Sequence, residues 1–590
     1  MKSISYLTSF LRSRLSRVQY IVLIATITGF ASGLVAVLLK TWVHYLQRWV
    51  EEGPASRFAW LLFPVIGLLL TVFLVQRFMG GAVERGIAMV LRAIARKSSF
   101  IPARHTWIHV AGSSLTVGLG GSVGLEAPIV ATGSAFGSNI ARLGELNYQE
   151  RSLLIACGAA AGIAAVFNAP IAGVVFAIEV LLAEMMASYF IPIIISSVAG
   201  VLCSKIILTE SVLFNFVLKQ NFDYRNVPFY ILLGVLTGFV ALYYARVFKR
   251  TETRLHELKF NPYLKAITGG VLLLILYFFV PPLFGEGYES VKQVANATLT
   301  TVQDNTRLLS TLGPEWSLVV FAAVVVLLKP VAAGITIGSG GNGGNFAPSL
   351  FTGAYLGFFF SRLMNLTPWF RVPVGNFSLV AMAGMLSGVM YAPLTGIFLI
   401  AEITNGYELF IPLMLVSSIS FFIVKSYEPY SMETRKLAME GQIFTHQKER
   451  NILTSLQLKD LLHDVYESVS IDAKLRDVVE VIKRSEKNIF AVNDRKGRFA
   501  GVIELNDIKQ RLFQPSQFDV VPVRSLMKRP PAILQEHQDM HSVMEKFDLT
   551  QSWYLPVLSA DRRFLGFVSK TKLFARYREA LAAQADLYEE

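Results

Sequence analysis

Gly124-Leu-Glu-Ala-Pro-Ile-Val-Ala-Thr-Gly-Ser-Ala-Phe-Gly137 and Gly344-Asn-Phe-Ala-Pro-Ser-Leu-Phe-Thr-Gly-Ala-Tyr-Leu-Gly357 agree at six of fourteen positions, 220 residues apart. A second pair follows in the same order. Asn168-Ala-Pro-Ile-Ala-Gly173 runs on to Glu179, and Tyr391-Ala-Pro-Leu-Thr-Gly396 runs on to Glu402, at an offset of 223. Two matched elements in one order at nearly one offset read as a duplicated unit of about 220 residues, the way many membrane folds are built. Small residues lining helix contacts would explain the shared glycines. They would not explain the shared Ala-Pro and Thr-Gly order.

Composition places that unit in a bilayer. Of 590 residues 53% are hydrophobic and 16% charged, against about 25% charged in soluble domains, which excludes an ordinary soluble enzyme. The last 150 residues hold 44 of the 97 charged side chains, so the chain divides into a membrane domain, 1–440, and a soluble tail, 441–590. Uncharged stretches at 152–178, 330–361 and 372–401 run near thirty residues with internal Gly and Pro. About 20 residues suffice for one span, so these stretches read as pairs of short or broken helices. The first apolar run, 21–39, lacks a small-residue cleavage site and reads as a retained span. Lys2, Arg12, Arg14 and Arg17 ahead of it, in a chain of net charge +13, place the N-terminus in the cytoplasm. They are not read as a nucleic-acid patch, because no aromatic-basic stripe follows. Cys157 and Cys203 are the only cysteines, so neither a disulfide framework nor a thiolate metal site is expected.

The chemistry is expected at the glycine-rich segments 119–128 and 338–348, each ahead of an apolar helix. Free N–H groups and the positive end of the macrodipole suit an anion. Two such ends brought together by a pseudo-twofold repeat make an anion site without a formal charge, weak enough to release the ion. Glu126 lies within the first segment. As an ionisable residue at membrane depth it reads as a tethered anion mimic that blocks the site when ionised and leaves when protonated; the other reading is an interfacial helix cap. Glu179 and Glu402, at equivalent places in the repeat, read as caps, intersubunit contacts or transport groups.

On these residues the chain resembles the CLC family of chloride channels and chloride/proton antiporters, followed by a CBS domain pair. Gly124-Leu-Glu-Ala-Pro128 stands where the family has GREGP, and Gly343-Gly-Asn-Phe-Ala-Pro348 where it has a GGIFAP-like motif. The resemblance implies an all-α polytopic fold of two inverted repeats of broken helices, homodimeric with one pore per subunit. It also implies an anion path at the amides of Leu125, Glu126, Ala127, Asn345 and Phe346, gated by Glu126. The pore tyrosine falls at Tyr430, with Tyr427 close by; an interfacial aromatic is the alternative. Where the family reads GSGIP this chain has Gly80-Gly-Ala-Val-Glu84, so the anion-coordinating serine is missing at Gly81 and chloride preference is open. Glu179 is followed by Val180, where many family antiporters have the inner proton-transfer glutamate. Valine carries no proton, which favours a passive channel over coupled exchange.

In the tail, 492–507 matches 557–572 at an offset of 65, each copy reading as strand, charged turn, strand and helix start. The tail resembles a cytosolic CBS pair, about 455–512 and 521–580. Copy one keeps the aspartate that binds the ribose of an adenine nucleotide, Asp507; copy two has Lys572 there, so a nucleotide site and a purely structural dimer contact both remain open. The expectation is an anion channel in the plasma or inner membrane, with chloride as permeant ion and no required cofactor. A chloride/proton antiporter on the same fold is the alternative. A CBS-regulated divalent-cation transporter would need clustered carboxylates at its pore, and an enzyme a nucleophile-base or metal-ligand constellation; the apolar stretches supply neither.

Overall fold

The computed structural model describes residues 13–52, 59–81, 86–96, 99–182, 187–207, 220–296, 313–439, 458–462, 466–538 and 540–586. They form two compact units, Met1–Ile443 and Phe444–Glu590.

The first unit is helical. Its first repeat comprises α1 (Arg17–Glu52), α2 (Phe63–Met79), α3 (Gly86–Arg96), α4 (His105–Gly118), α5 (Glu126–Leu143), α6 (Tyr148–Phe167), α7 (Pro170–Phe176, extended by a π turn, Ala177–Leu181) and α8 (Ala187–Ile207). The second comprises α9 (Val227–Glu257), α10 (Pro262–Phe279), α11 (Tyr288–Ala295), α12 (Pro314–Gly338), α13 (Phe346–Asn365), α14 (Val374–Met390), α15 (Pro393–Ile403) and α16 (Phe410–Tyr427), with α17 (Arg435–Met439) after it. Among the described residues seven helices are long and apolar enough to cross a membrane, and four more are apolar but shorter. The run expected at 21–39 is part of a 36-residue helix, about 54 Å at 1.5 Å per residue, which exceeds the thickness of the hydrocarbon.

All three long uncharged stretches break. The first breaks between α6 and α7 at Asn168, the third between α14 and α15 at Tyr391; both residues are left-handed, with φ of 53° and 59°, and Pro170 and Pro393 then open the short helices. The second stretch breaks between α12 and α13. Long helices pack through glycines at repeat-equivalent places. A Cβ on Gly133 or Gly137 of α5 would stand 2.3 or 2.0 Å from a backbone oxygen of α6, and on Gly353 or Gly357 of α13 2.6 or 2.2 Å from one of α14. Backbone contact at these crossings is what small residues permit in a bilayer.

Among its described residues the tail holds two three-stranded sheets. In the first, β1 (Ser468–Ser470) is parallel to β2 (Ile489–Asn493), which is antiparallel to β3 (Phe499–Glu504); β4 (Leu534–Gln535), β5 (Tyr554–Leu558) and β6 (Phe564–Ser569) repeat this order. Register shifts fall at Val492/Asn493 and Val557/Leu558, 65 residues apart. The copies meet through Phe499 and Phe564, with ring centroids 5.8 Å apart, and Phe499 N donates to Arg562 O at 3.0 Å. The membrane domain of broken inverted repeats and the α+β CBS pair are thus as the sequence implies.

Candidate anion site at two opposed helix ends

After α4 and after α12 the chain turns through seven residues into α5 and α13, and the two turns bond to each other reciprocally. Gly124 N donates to Gly344 O and Gly344 N to Gly124 O, both at 2.9 Å. Ser122 N donates to Thr336 Oγ1 at 3.1 Å and Asn342 N to Thr116 Oγ1 at 2.9 Å. Each partner lies 220 residues from its counterpart, so the pseudo-twofold axis runs through this antiparallel bridge. The N-termini of α5 and α13 are thereby held together. Neither N-cap residue, Leu125 or Asn345, makes a side-chain cap bond, which leaves first-turn amides to meet an anion.

Glu126 opens α5 and is 1% exposed. Its Oε1 accepts a short hydrogen bond from the Tyr288 hydroxyl of α11. The amides of Glu126 and of Ala347 in α13 face the carboxylate, whose Oε2 makes no hydrogen bond of good geometry among the described residues. A carboxylate buried against the ends of both helices stands where an anion would. The interfacial-cap reading of Glu126 does not fit this burial.

Ala127 and Asn345 line a cavity of about 820 Å3, together with Gly343, Gly344, Gly81 and Tyr430. Tyr430 faces it; Tyr427 lies instead at the end of α16, 60% exposed, against Phe239. Asn345 Oδ1 accepts from the buried Tyr244 hydroxyl of α9 at 3.2 Å. Phe346 is buried between Phe167 and Phe176, at centroid distances of 5.6 and 6.3 Å. Gly81 has φ +88°, and a Cβ there would meet Gln76 Oε1 at 3.0 Å, so its backbone favours the glycine that stands in the serine's place.

Two expectations change. The amide of Leu125 is already taken: it donates to Glu286 Oε1 at 3.0 Å, so it is closed to an anion in this conformation. The site also does not lack formal positive charge. The glycine-rich segments contain no Lys or Arg, but Lys329 of α12 donates to Ser122 Oγ at 2.9 Å, and Lys40 of α1 is buried near Glu126 and Glu286.

Glu179 and Glu402 cap helices of the opposite repeat. Glu402 accepts from Ile171 N at 3.0 Å and Ala172 N at 2.8 Å, in the first turn of α7. Glu179 accepts from Leu394 N at 3.1 Å, Thr395 N at 2.9 Å and Thr395 Oγ1 at 2.7 Å, in the first turn of α15. The exchange is symmetric at the offset of 223. In the tail, Asp507 is paired with Lys528 at 2.7 Å, an ion pair that a ribose would have to displace. Among the described residues no cluster of His, Cys, Asp and Glu could hold a metal ion.

The sequence reading missed Glu286, Tyr288, Lys40, Lys329 and Tyr244. The two lysines carried a signal, since each directly adjoins a long uncharged stretch and an ionisable group at membrane depth is functional by default. The other three reach the site from more than 100 residues away, with no local pattern to mark them.

Two helix ends opposed across an inverted repeat, with a carboxylate between them and a wide cavity beside them, define a membrane protein built to pass anions. The sequence profile of the voltage gated chloride channel family matches residues 67–425, and that of the CBS domain matches residues 523–579. The chain belongs to the voltage gated chloride channel family, and its activity is anion transport. It is 31% identical over 320 residues to the voltage-gated ClC-type chloride channel ClcB of Shigella boydii, covering 53% of this chain and 71% of that protein. It is 26% identical over 562 residues to chloride channel protein CLC-f of Arabidopsis thaliana, covering 83% and 69%. Among solved structures it is similar to a slow cyanobacterial Cl−/H+ antiporter, with a TM-score of 0.62, 21% identity and coverage of 72% of this chain and 98% of that one. It is also similar to a CLC-type fluoride/proton antiporter, with a TM-score of 0.59, 22% identity and coverage of 71% and 98%. At those identities the two structures bear on the fold.

Proposed function

We propose that the chain is a passive chloride channel gated by Glu126. Chloride enters through the cavity at Asn345 and Tyr430, meets the amides of Glu126, Ala127 and Phe346, and passes when the Glu126 carboxylate is protonated and swings away. The observation that carries this reading is the burial of that carboxylate between two helix N-termini, facing the amides of Glu126 and Ala347. Tyr430 would orient the ion from the cavity side, and Gly81, with no hydroxyl to offer, would leave selectivity to the backbone.

Coupled exchange with protons is the second reading. Both similar structures quoted above are named as proton antiporters, while Val180 beside Glu179 argues against an inner proton step at that position. We take the working assembly to be a homodimer in the cell membrane, one path per subunit, with the N-terminus and tail in the cytoplasm. Such a protein performs no covalent chemistry and needs no cofactor. An adenine nucleotide at the tail would compete with Lys528 for Asp507.

The test is chloride flux from liposomes containing the purified protein, with external pH recorded and the potential clamped by potassium and valinomycin. Chloride flux without stoichiometric proton movement is the expected result. Uphill proton movement driven by a chloride gradient would make it an antiporter, and no anion flux would refute both readings.

A further inference from the structure

The short segment that leads into α11 addresses the first turn of α5 twice. Glu286 accepts from Leu125 N at 3.0 Å, and two residues later Tyr288 holds Glu126. Glu286 is 6% exposed. A second tethered carboxylate therefore occupies a backbone donor beside the one that Glu126 serves.

Its surroundings are built for negative charge. Lys329 is fully buried and donates to Ser122 Oγ at 2.9 Å and Gly285 O at 3.2 Å, with Nζ 4.4 Å from the centroid of Phe351. Lys40 donates to Val166 O at 3.2 Å, with Nζ 5.3 and 5.5 Å from the centroids of Phe167 and Tyr288. Both lysines interact electrostatically with Glu286, and Lys40 also with Glu126. Two carboxylates and two ammonium groups from four separate elements make a quartet without net charge. A cavity of about 80 Å3 reaches Glu286, Lys40 and Tyr288, and His44, Gln47 and Glu289 also line it. It exceeds twice the ~30 Å3 that a water takes in the liquid. Ala127 lines the large cavity and Tyr288 the small one, so Glu126 stands between the two.

We propose that the Leu125 amide, Lys40 and Lys329 form a second binding position for a small monovalent anion, which Glu286 fills as a tethered occupant. While Glu286 is in place the position is closed by occupancy and by charge. Without its carboxylate the group keeps Lys40, Lys329 and Glu126, and the excess of amino groups draws an anion in. Its charged side chains, Lys40, Glu286 and Lys329, all lie outside the matched segments.

The inference rests on the reading of α5 and α13 as the anion path, and the test separates the two. Full-length wild type, Glu286→Ala and Glu286→Gln are purified, chloride binding is measured calorimetrically in detergent, and chloride flux is measured from liposomes at one pH. Glu286→Ala is expected to bind chloride about tenfold more tightly, the low end for removing a like charge at 4–6 Å. Glu286→Gln keeps an acceptor for the Leu125 amide and is expected to gain about threefold, by loss of charge alone. Adding Lys329→Met to Glu286→Ala is expected to return the affinity towards wild type, which a merely structural role of Glu286 would not produce. Unchanged chloride affinity in both Glu286 variants, with flux intact, overturns the inference and leaves the path standing. If Glu286→Ala does not fold, Glu286→Gln alone decides by the same criterion. Absence of chloride binding and flux in the wild type overturns the path reading and this inference with it.

Discussion

Replacing Glu402 by alanine removes both acceptors from the first turn of α7, where Ile171 N and Ala172 N donate at 3.0 and 2.8 Å. A hydrogen bond to a charged acceptor contributes about 1.5–3 kcal/mol net, but Glu402 is only partly buried and water can recover part of the loss. Loss of an ordinary N-terminal cap costs about 0.5–2 kcal/mol, so about 2 kcal/mol is the figure for Glu402→Ala. Glu179→Ala removes the equivalent pair on α15 and also the Thr395 hydroxyl at 2.7 Å, one further bond of about 1 kcal/mol. Thr395→Val removes that last bond alone. At about 2 °C per kcal/mol for a large domain, thermal unfolding in detergent should fall by about 4 °C for Glu402→Ala, about 6 °C for Glu179→Ala and about 2 °C for Thr395→Val. Chloride flux at room temperature should persist in all three. A lost flux at unchanged unfolding temperature would refute the cap reading and return these glutamates to transport; so would a larger thermal loss for Glu402→Ala than for Glu179→Ala.

Glu126→Gln should raise chloride flux and flatten its pH dependence, because the amide mimics the protonated gate; an unchanged pH profile in the liposome assay would remove Glu126 from gating. Gly81→Ser places a side chain at φ +88°, which costs about 1–2 kcal/mol, and should shift the permeability ratio of chloride to nitrate; identical ratios would mean that this position does not meet the ion. In the tail, the hydrogen bond from Arg495, with Arg524 behind it, holds the Asp472 carboxyl below its ordinary value. A carboxyl depressed in the folded state stabilises above its unfolded pKa of about 3.9 and loses that contribution as pH falls through the folded value. Asp472→Asn should therefore weaken the acid dependence of tail unfolding below about pH 4, followed by circular dichroism, and an identical acid transition would show that the pair contributes nothing.

The repeat offsets were legible because they record geometry directly. Residues 220 apart in sequence are bonded across the axis at Gly124 and Gly344, and the offset of 223 reappears in the exchanged caps. The two explanations of the shared glycines divide the work by position. Gly133, Gly137, Gly353 and Gly357 serve helix packing, as the simpler explanation holds, while Gly124 and Gly344 form the bridge at the site. The tail was legible for the same reason, its two bulged strands lying 65 residues apart. Glu286 and Tyr288 were illegible because nothing repeats them. Their contacts span 161 and 162 residues, and a carboxylate before a short polar helix looks like any solvated turn.

The parts that escaped the sequence are those that break the symmetry. An ideal twofold would make both helix ends alike, and an anion between them would meet the same potential from either side. Here the equivalent of Glu126 is Phe346 and the equivalent of Leu125 is Asn345, at the offset of 220. One end gathers Glu126, Glu286, Lys40, Lys329 and Tyr288, of which Lys40, Glu286 and Tyr288 line a cavity of about 80 Å3. The other places Asn345, under the Tyr244 hydroxyl, on a cavity ten times larger, which Arg92, Lys249, Glu252 and Glu433 also line. Backbone dipoles shared by both ends would attract an anion equally from the two sides, so direction and gating must come from the unshared side chains. That assigns duplication to binding and divergence to control, so that substitutions of the unshared side chains will separate control from the fold.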